Sequence, residues 1–265
     1  MSALAVYVEG IGLWSPQLPD FAALRATLAG EAVAPPPARP PAALLPAGER
    51  RRAPESVLLA VEVAGQAVTM SGRDAATLPC VFASSHGDQP IMDYMCATLA
   101  SAPSELSPTR FHNSVHNAPA GYWTIATGCH APSNAVCAQR ASVGAGLLEA
   151  ASLALADGQP VLLVCSDTAG SGPLTEVTAS TAPFGCALVL SPQPGASTLG
   201  RLVLHLCPGS IVDAPVVPGV PADWIASSPA AVALPLLALL AQGEGRCRLM
   251  AAGSLGMDVH LEERA

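Results

Sequence analysis

Two histidines four residues apart, His112 and His116, sit in the stretch Phe111-His112-Asn113-Ser114-Val115-His116-Asn117. On a helix they would share a face, as a metal-binding pair does. Asn117 and Pro119 favour a loop instead, and no third ligand is placed by spacing. Polar contacts along a cavity or interface, or plain structural hydrogen bonds, are the competing readings, and no metal is expected. His86-Gly87-Asp88 follows a strand pattern and reads either as an acid–base pair or as a helix cap. Cys137 is either half of a cysteine–histidine dyad or a buried strand cysteine. Arg140 stands near a helix start, where the macrodipole favours anions. It therefore calls for an acidic neighbour, a bound carboxylate or a partner, unless it is simply solvated. Tyr122 and Trp123 are either interface anchors or ordinary core. Arg50-Arg51-Arg52 could meet an acidic partner, or form a solvated helix entry.

Composition narrows the chemistry further. In 265 residues there is no lysine, so the twelve basic side chains are all arginine. This excludes a Schiff-base lysine, a P-loop lysine and a lysine general base. A formal charge of −8 leaves no electrostatic footprint for nucleic acid. Hydrophobic residues make up 51% but aromatics only 4%, so the apolar content is small side chains that pack closely and bury little each. Such a chain needs very compact packing or a partner that covers it. The eight cysteines include no C-x-x-C pair and read as reduced, mostly buried small hydrophobes. The N-terminus lacks a basic signal region, and the longest apolar run, 230–241, is too short to span a bilayer and carries Pro235. A cytoplasmic protein without membrane contact or cofactor is expected.

These residues need a scaffold. The pattern predicts a strand over Ala3–Ile11, a helix over Phe21–Ala29 and a Pro/Ala-rich loop over 32–48. A helix over Pro54–Met70, a strand over Pro79–Ser84 and a helix over Gln89–Ala100 follow. The segment 111–128 reads as partly helical after Pro119. Strand Asn134–Ala138 leads into helix Ser142–Ala156, closed by Gly158, and strand Val161–Ser166 comes next. The remainder gives strands Gly185–Ser191 and Leu199–Leu206, a Pro-rich loop, and an apolar helix Pro229–Gln242 without a polar face. Strands Cys247–Ala252 and Met257–Glu262 end the chain. Alternating strands and helices predict an α/β layered fold with a mainly parallel sheet.

Several stretches resemble the β-ketoacyl synthases. Val6-Tyr7-Val8-Glu9-Gly10-Ile11-Gly12-Leu13-Trp14-Ser15-Pro16 is similar to their first strand and turn. Arg50-Arg51-Arg52 leading into the 55–70 helix resembles their next helix. The run from Phe111 to Gly128 resembles the short chain-length-factor-like homologues of aryl polyene and related pigment pathways. Ala131-Pro132-Ser133 stands at their turn before the nucleophile strand, and Phe184-Gly185-Cys186-Ala187-Leu188-Val189-Leu190 resembles the strand closing their N-terminal half. The resemblance implies a thiolase-like fold with a complete N-terminal half (1–192) and a shortened C-terminal remnant (193–265) packed on the same domain.

The departures carry the functional implication. A ketosynthase places a cysteine where a strand meets a helix N-terminus, which activates the thiolate. Counting as the family does puts that position on Arg140, within Cys137-Ala138-Gln139-Arg140-Ala141. The His-Gly-Thr-Gly-Thr segment that supplies one catalytic histidine is absent, and Ala252-Gly253-Ser254-Leu255-Gly256-Met257-Asp258 only faintly echoes the family's glycine-rich turn. The resemblance therefore implies a non-catalytic subunit that pairs with a full-length ketosynthase and, through that complex, meets an acyl carrier protein. The family's use of the 111–137 segment at its two-fold axis nominates Phe111, His112, Val115, His116, Asn117, Tyr122, Trp123, Cys137, Gln139 and Arg140 for the interface or acyl tunnel. An autonomous acyl-thioester transferase using Cys137, or a homodimeric scaffold, are the alternatives.

Overall fold

The first apolar run extends further than expected, forming strand β1 (Leu4–Trp14) in the computed structural model, which describes residues 3–209 and 216–262. Helices α1 (Phe21–Leu28), α2 (Ala47–Arg52) and α3 (Glu55–Ser71) follow, then β2 (Cys80–Ala83), α4 (Gln89–Ser101), α5 (Pro108–His112) and α6 (Ala118–Thr127). Next come β3 (Ser133–Val136), α7 (Ser142–Asp157), β4 (Val161–Asp167), α8 (Leu174–Thr178), β5 (Phe184–Ser191) and β6 (Gly200–Pro208). Helices α9 (Ala222–Ala226) and α10 (Leu234–Gln242) and strands β7 (Gly245–Ala252) and β8 (Leu255–Glu262) complete the described chain. Part of the expected Pro-rich loop, 210–215, lies outside the described residues.

All eight strands join one sheet in the order β3-β2-β4-β5-β1-β6-β8-β7. The expectation of a mainly parallel sheet is corrected here. Only β2–β3 and β2–β4 run parallel, and β5, β1, β6, β8 and β7 continue antiparallel. Helical crossovers lead from β2 to β3 and from β3 to β4, and a crossover of that kind returns the chain in the same direction. After β4 the chain reverses into β5 and again between β7 and β8. Strand β1 lies between β5 and β6, and β8 between β6 and β7, each antiparallel to both its neighbours. The chain has one α/β architecture with a parallel corner, and the functional candidates gather at that corner.

Helices pack on both faces of the sheet from β2 to β1 and on one face of β6, β8 and β7. On one, Val6, Val8, Leu163, Leu188, Leu190 and Leu204 pack with residues of α7, α10 and α1. On the other, Phe82, Leu162, Val164 and Val189 meet α3 and α6. The α3 contact requires glycine in β1. A Cβ at Gly10 would lie 2.0 Å from the Ala67 carbonyl oxygen, and one at Gly12 1.9 Å from that of Val63. Helix and strand backbones therefore nearly touch, a closeness only glycine permits. The apolar helix α10 buries Leu234–Ala238, and the chain's own layers, including α1 and β7, cover it. No helix among the described residues is long and apolar enough to cross a membrane.

Candidate functional site

The parallel strands β2, β3 and β4 end side by side, so the residues just beyond Ala83, Val136 and Asp167 converge. Asp167, 2% exposed, organises the turn after β2. Its Oδ1 accepts from the Ser84 hydroxyl (2.9 Å), the Ser85 amide (2.7 Å) and the His86 amide (3.3 Å). Burial pushes its carboxyl pKa above the ordinary range, while the Ser84 and Ser85 hydrogen bonds oppose the rise. Asp88 caps α4, accepting from the Ile91 amide at 2.9 Å. Of the two readings of His86-Gly87-Asp88, the structure shows the cap.

Beyond β3 the chain makes a sharp elbow into α7. Gln139 takes left-handed backbone angles (φ 51°), which a side chain other than glycine adopts at a cost of roughly 1–2 kcal/mol. Ser142 locks the turn: its hydroxyl accepts from the Ala138 amide (2.9 Å) and donates to the Gln139 carbonyl (2.6 Å). The elbow residue is thus Gln139, and Arg140 follows it, exposed and without an ion pair among the described residues. The β7 end packs against this corner. Gly144 of α7 approaches so closely that a Cβ there would lie 2.0 Å from the Met250 carbonyl oxygen.

Cys137 is exposed and donates its thiol hydrogen to the Ser85 carbonyl at 3.4 Å, so the buried strand cysteine is not what the structure shows. His116 Nε2 lies 3.0 Å from the Ser84 carbonyl, which makes Nε2–H the donor. Thiol and imidazole thus each engage the backbone of the same turn, and among the described residues no Cys137–histidine hydrogen bond forms. His112 ends α5 while His116 lies in the turn before α6, so the two do not share a helix face. Among the described residues no group of three or more metal-ligating side chains assembles.

A second cluster lies on α6 and its approach. His112, Val115, Asn117 and Tyr122 line a mostly apolar cavity of about 490 Å³ together with Leu45 and Pro46. The Tyr122 hydroxyl donates to Asn113 Oδ1 at 3.2 Å, and Arg110 stacks 3.9 Å above the Tyr94 ring, tying α5 to α4. Phe111 and Val115 are exposed. Trp123 is corrected: at 0% exposure it is core beneath α3 and offers no surface to another chain. Two features escaped the sequence reading. Ile125, 84% exposed, lines the same cavity. Helix α4 buries only Gln89 and Ile91 and leaves Met92, Cys96 and Leu99 exposed at i, i+4, i+7 spacing, a stripe the helical period could have revealed.

A mixed sheet layered between helices, with a strand–elbow–central helix at its parallel corner, defines a thiolase-like α/β protein. Residues 26–207 match the family described as β-ketoacyl synthase, N-terminal domain, and the chain belongs to that family. No curated protein matches its sequence. Among solved structures it is similar to a chain of the ketosynthase ApeO in complex with its chain length factor ApeC from Xenorhabdus doucetiae. The identity is 23%, the TM-score 0.72, and 97% of this chain and 99% of that one are covered. It is also similar to the ishigamide ketosynthase/chain length factor, at 17% identity and TM-score 0.67, covering 98% of this chain and 100% of that one. A β-ketoacyl synthase from Burkholderia phymatum STM815 aligns at 11% identity and TM-score 0.68, over 98% and 99% of the two chains. At these identities the likeness is one of fold.

Proposed function

We propose that this chain is a non-condensing, chain-length-factor-like subunit that pairs with a full-length ketosynthase. The observation that carries this reading is the elbow at Gln139, which keeps its left-handed backbone and bears an amide where the chemistry needs a thiol. Neither Gln139 nor Arg140 can attack a thioester, and His116 is turned toward the Ser84 carbonyl. The partner would supply cysteine and histidines for decarboxylative condensation of a malonyl unit, on an acyl carrier protein, with a growing acyl or aryl-polyene-type chain. This subunit would stabilise the partner and shape or cap the acyl tunnel. Residues 193–265 are read as a shortened remnant of the family's second half.

The surface supports such a pairing. Strand β3 is a sheet edge exposed at Ser133, Asn134 and Ala135, and unpaired edges are templates for another strand. The exposed Phe111, Val115, Ile125 and α4 stripe offer further apolar contact. The exposed arginines 51 and 52 of α2 fit the docking of an acidic carrier protein on the complex.

The test is co-expression with a full-length ketosynthase from the same organism, followed by affinity purification and size-exclusion chromatography. A stable one-to-one complex that condenses malonyl units on a carrier protein, while this chain alone does not, is the expected result. Failure to co-purify overturns the pairing. Acyl transfer by the purified chain that is lost in Cys137→Ala would establish the autonomous transferase instead.

A further inference from the structure

Among the described residues the helical layer of α3 and α6 ends over β1, and on the same face of β6, β8 and β7 the side chains of His205, Arg246, Arg248 and Asp258 are exposed. A hollow of about 550 Å³ lies there, lined by His205, Arg246, Arg248, Asp258 and His260 with parts of Cys247 and Val259. Strand register makes the cluster regular. Arg246 stands opposite His260, and Asp258 stands between Arg248 on one side and His205 on the other.

Arg248 is held in place. Its Nη2 contacts the Cys207 sulfur at 3.1 Å and the Pro208 carbonyl at 3.5 Å, and its Nε lies 3.5 Å from Asp258 Oδ1. It reaches across β8 because Gly256 has no side chain: a Cβ there would lie 2.9 Å from Nε. Arg246 is exposed and has no carboxylate within 4.0 Å among the described residues. Among the described residues Asp258 is the only acid lining the hollow. Two guanidinium forks and two imidazoles therefore face one acid, on a chain whose formal charge is −8.

The geometry points to an anion site here, for the phosphate group of a phosphate monoester. A dianion with three terminal oxygens uses several donors at once, and guanidinium forks match that geometry. A single carboxylate satisfies one fork and leaves the rest of the wall unused. The inference is independent of subunit pairing, because it concerns the sheet end opposite β3.

The test titrates the isolated full chain with inorganic phosphate, following the imidazole NMR signals of its six histidines at constant ionic strength. Saturable shifts of His205 and His260 are expected, with His86, His112, His116 and His130 unmoved. Arg246→Gln and Arg248→Gln should each weaken binding at least tenfold with unchanged thermal unfolding. His260→Asn, a shorter side chain on the same strand, should weaken it more modestly. Shifts linear in phosphate, shifts reproduced by chloride, or equal affinity in Arg246→Gln would overturn the site. Acetate binding as tightly as phosphate would overturn its assignment to phosphate.

Discussion

Gln139 and Asp167 hold the corner in different ways, and each makes a prediction. The left-handed turn at Gln139 is strained, and glycine relieves the strain at no steric cost. Gln139→Gly should therefore raise unfolding free energy by about 1 kcal/mol in urea melts, less the chain entropy that glycine adds to the unfolded state. A stabilised variant that pairs less well with the ketosynthase would place the Gln139 side chain in the partner's site. Asp167 makes the opposite kind of claim. Its carboxyl pKa is raised in the fold, so between its ordinary range and the folded value the native state binds more protons than the unfolded one. Its contribution to stability is complete at lower pH and is lost as pH rises through the folded pKa. Asp167→Asn keeps Oδ1, which accepts all three hydrogen bonds, and removes the buried charge. Urea melts from pH 4 to 7 should show a flatter pH dependence in this variant, whereas Asp167→Ala should cost about 2–4 kcal/mol throughout by stranding buried donors. The family resemblance nominates Arg140 for the nucleophile position, while the positive φ falls on its neighbour Gln139. Residue counting through a turn does not see which position takes positive φ. Tyr122 and Trp123 share the same limit: adjacent on a helix, they point about 100° apart, and only packing against α3 decides which is core.

Elements were more legible than residues where periodicity is local. The strand over 79–84, the helix closed by Gly158 and the tail strands all follow from apolar spacing and caps, and the structure has them within a few residues. Strand direction was not legible, because it depends on how long-range connections return the chain. Helix α4 shows a related limit. Its residues Met92, Met95 and Leu99 look like core by composition, yet only the first turn is buried. Met92→Glu and Leu99→Glu should leave the isolated chain's unfolding midpoint nearly unchanged, because surface substitutions cost within about 0.5 kcal/mol. The same changes should weaken retention of the ketosynthase in a pull-down if α4 is covered by that partner. Gly12→Ala behaves inversely. It forces backbone apart between β1 and α3, so it should destabilise the isolated chain by about 3 kcal/mol or more, read as a lowered urea midpoint.

At the scale of the whole molecule the sheet has two ends with different characters. One, β7, carries Arg246 and Arg248, charges of the kind that keep edge strands from pairing. The other, β3, presents Ser133, Asn134 and Ala135 with no charge among them. The β2 ladder uses the Pro132 and Val136 carbonyls, so by strand alternation the Ala135 amide points away from β2 toward the open edge. Proline at 135 would therefore remove an outward donor and leave the β2 pairing intact, the placement in which edge strands tolerate proline. Ala135→Pro should keep the isolated chain's urea midpoint close to the parent's. If the sheet continues into the ketosynthase through this edge, the variant should lose co-purification and, with it, condensation by the complex. Retained pairing at parental affinity would assign the interface to the apolar surface of α4, Phe111 and Ile125, with β3 left as a solvated edge.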